Sequence, residues 1–115
     1  MKKLILFFGI IIGFFTSCSS PQNLYSWYDY EDATYQYNKK RTDELKVKMM
    51  DQYLKLIQKQ KGFRKVVPPG LYAEYGYALY MGGKKEEGID FLKQEIKLYP
   101  ESEIYISRIV KQLEK

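Results

Sequence analysis

The chain has no histidine, a single cysteine and a single tryptophan among 115 residues, and only four prolines. Without histidine it lacks the side chain that most often moves protons near neutral pH, together with the commonest nitrogen ligand of zinc. One thiol, Cys18, leaves no intrachain disulfide to form, so a fold built from this chain rests on packing. A phosphate-binding loop is missing too: Gly82-Gly83-Lys84-Lys85 has neither the spacing nor a preceding strand. Charge of one sign does not dominate. There are 19 Lys and Arg against 14 Asp and Glu, interleaved as on solvated helix faces, a pattern that does not mark a nucleic-acid surface. Apolar runs are short, and that from Leu4 to Phe15 falls below the ~20 residues a membrane-spanning helix needs.

What is present begins with that run. Lys2 and Lys3 precede it, and the small residues Thr16 and Ser17 follow, the order of a secretory signal. The stretch Phe15-Thr16-Ser17-Cys18 resembles a lipobox, where bacterial lipoprotein signals are cut ahead of a lipidated cysteine. A thiol is needed for the thioether to diacylglycerol, and a small residue before it admits the peptidase. The expected division is a signal peptide over 1–17, lipidated Cys18 with a short tether over 18–24, and a helical domain over 25–115. Loss of Lys2 and Lys3 leaves 17 basic against 14 acidic residues, so much of the basicity belongs to the signal. Ser19 stands where an Asp would resemble an inner-membrane retention signal, and no acidic run like that of surface-exported lipoproteins follows. The expectation is an outer-membrane lipoprotein facing the periplasm, attached to the membrane by acyl chains on Cys18. From Cys18 to Trp27 the chain reaches at most ~30 Å, which holds the domain close to that membrane.

Helical spacing runs through the rest. Trp27, Tyr30, Ala33 and Tyr37 form one stripe, ending near Asn38 to Arg41. Thr42 is placed to cap a second helix, with Asp43 and Glu44 in its first turn. Leu45, Met49, Tyr53, Leu54, Leu56 and Ile57 give that helix its apolar face, and Gly62 is placed as a left-handed C-cap. Val66-Val67 reads as a connector, because Pro68-Pro69 follows, with Pro69 at the start of a third helix carrying Tyr72, Tyr75, Gly76 and Leu79. After Gly82-Gly83 a fourth helix carries Gly88, Leu92 and Ile96. A last one carries Ile106, Ile109, Val110 and Leu113.

Gly76 and Gly88 each cost about 1 kcal/mol relative to Ala inside a helix, a cost that makes sense where two helices cross closely. The segment from Pro69 to Pro100 resembles the tetratricopeptide repeat, an antiparallel helix pair of about 34 residues. Tyr72 takes the place of its bulky aromatic, Tyr75 of its leucine and Gly76 of its close-contact glycine. Leu79 and Gly83 follow in register, as do Gly88, Leu92 and Pro100. Glu95 stands where the repeat has a small residue, which predicts a looser contact with the next helix. The resemblance implies an all-α fold of about five helices, antiparallel pairs stacked as in tetratricopeptide repeats, with the last helix as a cap. In such repeats the first helix of each pair lines a concave groove. That register puts Ala73, Tyr77, Tyr80 and Met81 there. Tyr28, Asp32 and Tyr35 of the first helix and Ser107, Arg108 and Lys111 of the last would be their neighbours. Rigid aromatics and an arginine on one concavity suit peptide binding. Tyr53, Tyr72, Tyr75 and Tyr99 are expected in the core.

Over its mature length the chain also resembles an uncharacterised family of bacterial lipoproteins that carry a domain of unknown function. The Cys18 signal, Trp27-Tyr28-Asp29-Tyr30 with Tyr35 and Tyr37, the segment Val67 to Gly76, and Tyr99-Pro100-Glu101-Ser102 carry the likeness. Members often lie beside a lipoprotein like the curli secretion channel and a third small lipoprotein. The resemblance implies a component of an envelope lipoprotein assembly with envelope proteins as partners. No cofactor, metal or nucleic acid is expected. An enzyme is not expected either: Glu86, Glu87 and Asp90, and Asp29, Glu31 and Asp32, read as acidic first turns and exposed faces rather than as a carboxylate pair fixed in a cleft. The function expected is an interaction module. The alternative is a lipoprotein activator of a peptidoglycan synthase, which would need a longer linker to reach the inner membrane.

Overall fold

The computed structural model describes residues 23–115. The signal segment, Cys18 and the first part of the tether lie outside the described residues. Those described form an all-α fold of five helices without a strand: α1 Tyr30–Lys40, α2 Asp43–Gln58, α3 Leu71–Met81, α4 Lys85–Leu98 and α5 Glu103–Leu113. A single 3-10 turn, Pro100–Ser102, leads into α5. No described helix is long and apolar enough to cross a membrane.

Local chemistry sets most of the boundaries. Arg41 leaves α1 in the left-handed region, φ 48°, and the Thr42 side chain accepts a hydrogen bond from the Leu45 N–H at 3.3 Å to open α2. Gly83, at φ 100°, reverses the chain between α3 and α4. Three expectations shift. Trp27 lies in a turn before α1, which begins only at Tyr30. The left-handed residue before α3 is Gly70, φ 89°, at the N-cap, and Pro69 lies one residue outside it. Gly62 is no left-handed cap, because α2 has already ended at Gln58. It is small for a different reason: a Cβ there would lie 2.3 Å from the Leu24 carbonyl oxygen. The incoming segment crosses the loop at that point, where Phe63 and Arg64 N–H groups donate to the Asn23 and Leu24 carbonyls at 3.0 and 3.1 Å.

The helices run antiparallel to their chain neighbours. For α3 and α4 this follows from Gly76 facing Gly88, Tyr72 stacking on Phe91, and the Gly70 N–H reaching Glu95 near the far end of α4. A Cβ on Gly76 would meet the Gly88 carbonyl oxygen at 2.6 Å, and one on Gly88 the Gly76 oxygen at 2.5 Å. Backbone meets backbone here, as the two glycines predict.

The buried side chains form two clusters that share α3. The first gathers Met49, Tyr53 and Leu56 of α2 with Val67, Leu71, Tyr75 and Leu79, and Tyr30, Ala33 and Tyr37 of α1 close over it. The second joins Ile89 and Leu92 of α4 to Ile106 of α5, flanked by Ala73 and Tyr80 of α3. Aromatic rings run through the first: Trp27, Tyr30, Tyr53, Tyr75 and Phe91 each contact the next, with centroids 4.8–6.1 Å apart. Burial raises the Tyr30, Tyr53 and Tyr75 hydroxyls above the ordinary phenol value, the Glu74 carboxylate adding to the rise at Tyr30 and Tyr53.

Candidate functional site

Between the α3 start, the 3-10 turn and α5 lies a cavity of about 620 Å³. Its walls are apolar and aromatic, with Ala73 and Tyr77 from α3, Tyr99 from the connector, and Tyr105, Ile106 and Ile109 from the α5 side. Its polar groups include Glu74, Glu95 and Glu101, and no lysine or arginine lines it. Tyr30 donates to Glu74 Oε2 at 2.6 Å across from α1. Tyr99 donates to the Val67 carbonyl at 2.5 Å, which fixes its ring at the cavity edge, and burial pushes its hydroxyl pKa up to about 12.

Glu95 stands in the small-residue position, where a looser contact with the next helix was expected. Its side chain is only 2 % exposed and is drawn against the N-terminus of α3, where Oε1 accepts the Gly70 N–H at 2.5 Å. Gly70 has no capping side chain of its own, so Glu95 serves the end of a neighbouring helix, where partial positive charge favours a carboxylate. Its second oxygen, Oε2, is buried and has no hydrogen-bond partner among the described residues. An unmatched buried acceptor costs about 1–3 kcal/mol.

Burial raises the Glu95 pKa above the ordinary carboxylate value, and Glu101 adds to the rise, while the Gly70, Ala73 and Tyr72 N–H groups pull it back. A raised folded-state value means that the folded protein holds this proton to higher pH than the unfolded chain does. The stability carried by the protonated form is therefore full below the unfolded value and is lost as pH rises through the folded one. Glu95→Gln keeps an oxygen for Gly70 and cannot titrate. In denaturant titrations from acid to neutral pH, wild type should lose stability relative to Glu95→Gln as pH rises. A difference that grows in the wild type's favour would mean that the helix terminus, not burial, dominates.

The other groove candidates separate. Tyr77 and Ala73 share the cavity, but Tyr80 turns toward α5 and donates to the Leu113 carbonyl, beside a different depression with Lys85 and Lys93. Tyr28 donates to the carbonyl of Lys59, the C-cap of α2, and Asp32 lines a hollow between α1 and α2. Tyr35 is exposed beneath Lys39, whose ammonium lies 5.8 Å from the ring centroid. Met81, Arg108 and Lys111 are exposed, and Ser107 is half-buried. Tyr105, not singled out from sequence, and Ile109, expected on the apolar face of the last helix, complete the cavity wall. No group of three or more His, Cys, Asp or Glu among the described residues is arranged to hold a metal ion. The family described as Domain of unknown function (DUF4810) matches residues 24–109. No curated protein and no solved structure matches the chain.

Proposed function

The chain belongs to the DUF4810 family, and from that premise we propose that it is a lipid-anchored, non-enzymatic interaction module of the bacterial envelope. In this reading acyl chains on Cys18 hold it to the periplasmic face of the outer membrane. The helices form a tetratricopeptide-like stack, and the cavity between α3 and α5 receives a segment of a partner protein. A lipoprotein like the curli secretion channel is one such partner.

The observation that carries the reading is the composition of that cavity. Tyr77, Tyr99 and Tyr105 supply large, stiff contact surfaces, and acidic groups alone supply its charge. The partner segment that fits is apolar with a basic side chain at its centre, because an ammonium or guanidinium meets carboxylates and tyrosine faces together. The backbone contact of Gly76 with Gly88, and α5 continuing the register, support the repeat-like stack.

The test is capture from detergent-solubilised envelopes. Tyr77 and Tyr105 are 48 % and 69 % exposed, so truncating both should leave helical content and melting near wild type. The same double variant, Tyr77→Ala with Tyr105→Ala, should lose the partner, since a truncated hot spot costs about 2 kcal/mol or more. In parallel, an alkyne fatty acid should label wild type and not Cys18→Ser. A folded double variant that still captures its partner removes the site from this cavity, and equal labelling removes the anchor.

A further inference from the structure

A second surface lies where the tether enters the fold. The segment 23–28 crosses the loop after α2, held by the two backbone hydrogen bonds from Phe63 and Arg64 and by the Lys61 N–H donating to Ser26 Oγ at 3.2 Å. Gly62 beneath it admits no side chain. The result is a fixed platform. Five large apolar side chains stand exposed on it: Leu24, Trp27, Tyr28, Phe63 and Val66, with Phe63 at 70 %. Lys59, Lys61, Arg64 and Lys65 surround them in the same loop, all exposed. The open hollow at its centre is lined by Trp27, Tyr28, Lys61, Phe63, Lys65 and their neighbours, with no acidic residue. Tyr28 and Lys65 are held in the left-handed region, φ 47° and 54°, which bulky residues adopt at a cost and which often marks a working surface.

We propose that this platform lies on the membrane, with its aromatic side chains at the headgroup level of a bilayer carrying anionic phospholipid. Aromatic side chains with a polar edge prefer that boundary, and clustered basic residues are drawn to anionic headgroups. Position agrees with chemistry. Only four residues separate Cys18 from Asn23, five peptide steps with a reach of at most ~17 Å, so a domain anchored there meets the bilayer with this end first. The acidic cavity adjoins the hollow, with Tyr25 of the hollow beside Tyr99 of the cavity edge, but none of its carboxylates lines the hollow. The orientation rests on the anchoring reading. The affinity for lipid belongs to the platform itself.

Trp27 is the only tryptophan in the chain, so its emission reports on this surface without labelling. The mature chain without its lipid, residues 18–115 with Cys18→Ser, is mixed with vesicles of phosphatidylethanolamine and phosphatidylglycerol, and in parallel with phosphatidylcholine alone. The expected result is a blue shift with the anionic vesicles that salt weakens, and little shift with phosphatidylcholine. Lys61→Glu with Lys65→Glu should reduce partitioning by more than tenfold, since each basic residue contributes roughly fivefold near such a surface. Phe63→Ser should weaken it further, and Tyr77→Ala with Tyr105→Ala should leave it unchanged. No shift with anionic vesicles, or an equal shift in the charge-reversed variant, overturns the proposal. So does a shift produced by solubilised envelope proteins and not by lipid. Fatty-acid labelling of Cys18 is read separately, so a failed platform and a failed anchor give different results.

Discussion

Gly76→Leu should unfold at a lower temperature than wild type, although leucine is the better helix former by about 1 kcal/mol. The two effects have opposite signs, which makes the result decisive. The first atom of the new side chain would stand 2.6 Å from the Gly88 carbonyl oxygen and 3.0 Å from the Leu92 nitrogen. Both belong to backbone, so no rotamer change can make room, and α3 and α4 must move apart. Overpacking of this kind typically costs about 1–3 kcal/mol, and a backbone obstacle puts it at the upper end. For a domain of this size each kcal/mol corresponds to about 4–8 °C in Tm. Gly76→Ala should show the same sign with a smaller drop. A leucine variant that melts above wild type would show that the helices do not cross here.

Leu92→Ala should cost more, about 2–5 kcal/mol, because Leu92 is fully buried and its removal leaves a cavity between α3, α4 and α5. That is a large part of the 5–15 kcal/mol that holds a typical domain together. The more informative measurement is where protection from hydrogen exchange is lost. Leu92 belongs to the second cluster, yet α3 contributes Tyr75 and Leu79 to the first and Ala73 and Tyr80 to the second. Amides of α2 should therefore lose protection together with those of α4 and α5. Loss confined to α4 and α5 would mean that the clusters open independently.

Placement of the cavity was only partly legible beforehand. Ala73 and Tyr77 were readable because they lie on the first helix of a recognisable pair, where spacing alone assigns a face. Tyr80 occupies the same face one turn on, but its hydroxyl finds the Leu113 carbonyl, a partner 33 residues away that no local pattern indicates. Tyr28, which precedes α1, and Asp32 and Tyr35 of α1 were grouped with the groove by repeat register. In the fold, α1 packs onto α2 and covers the first cluster, so these side chains look elsewhere.

The helices and the places where they turn were legible along the chain. Apolar spacing, the Thr42 cap and the Gly82-Gly83 reversal act within a few residues of the groups they satisfy, so their effect can be read along the chain. The α3–α4 crossing was legible too, because a glycine inside a helix is a local penalty that only a close neighbour explains. Tertiary structure alone decided the fate of Glu95. Its spacing on α4 says only which way it points, whereas its burial depends on the Gly70 N–H arriving from another helix with no cap of its own. The same holds for Gly62, which looks like a helix end in sequence and is a crossing point in space. Local hydrogen bonds fix elements. Which polar groups are left exposed, paired or stranded is settled only when distant segments compete for the same space.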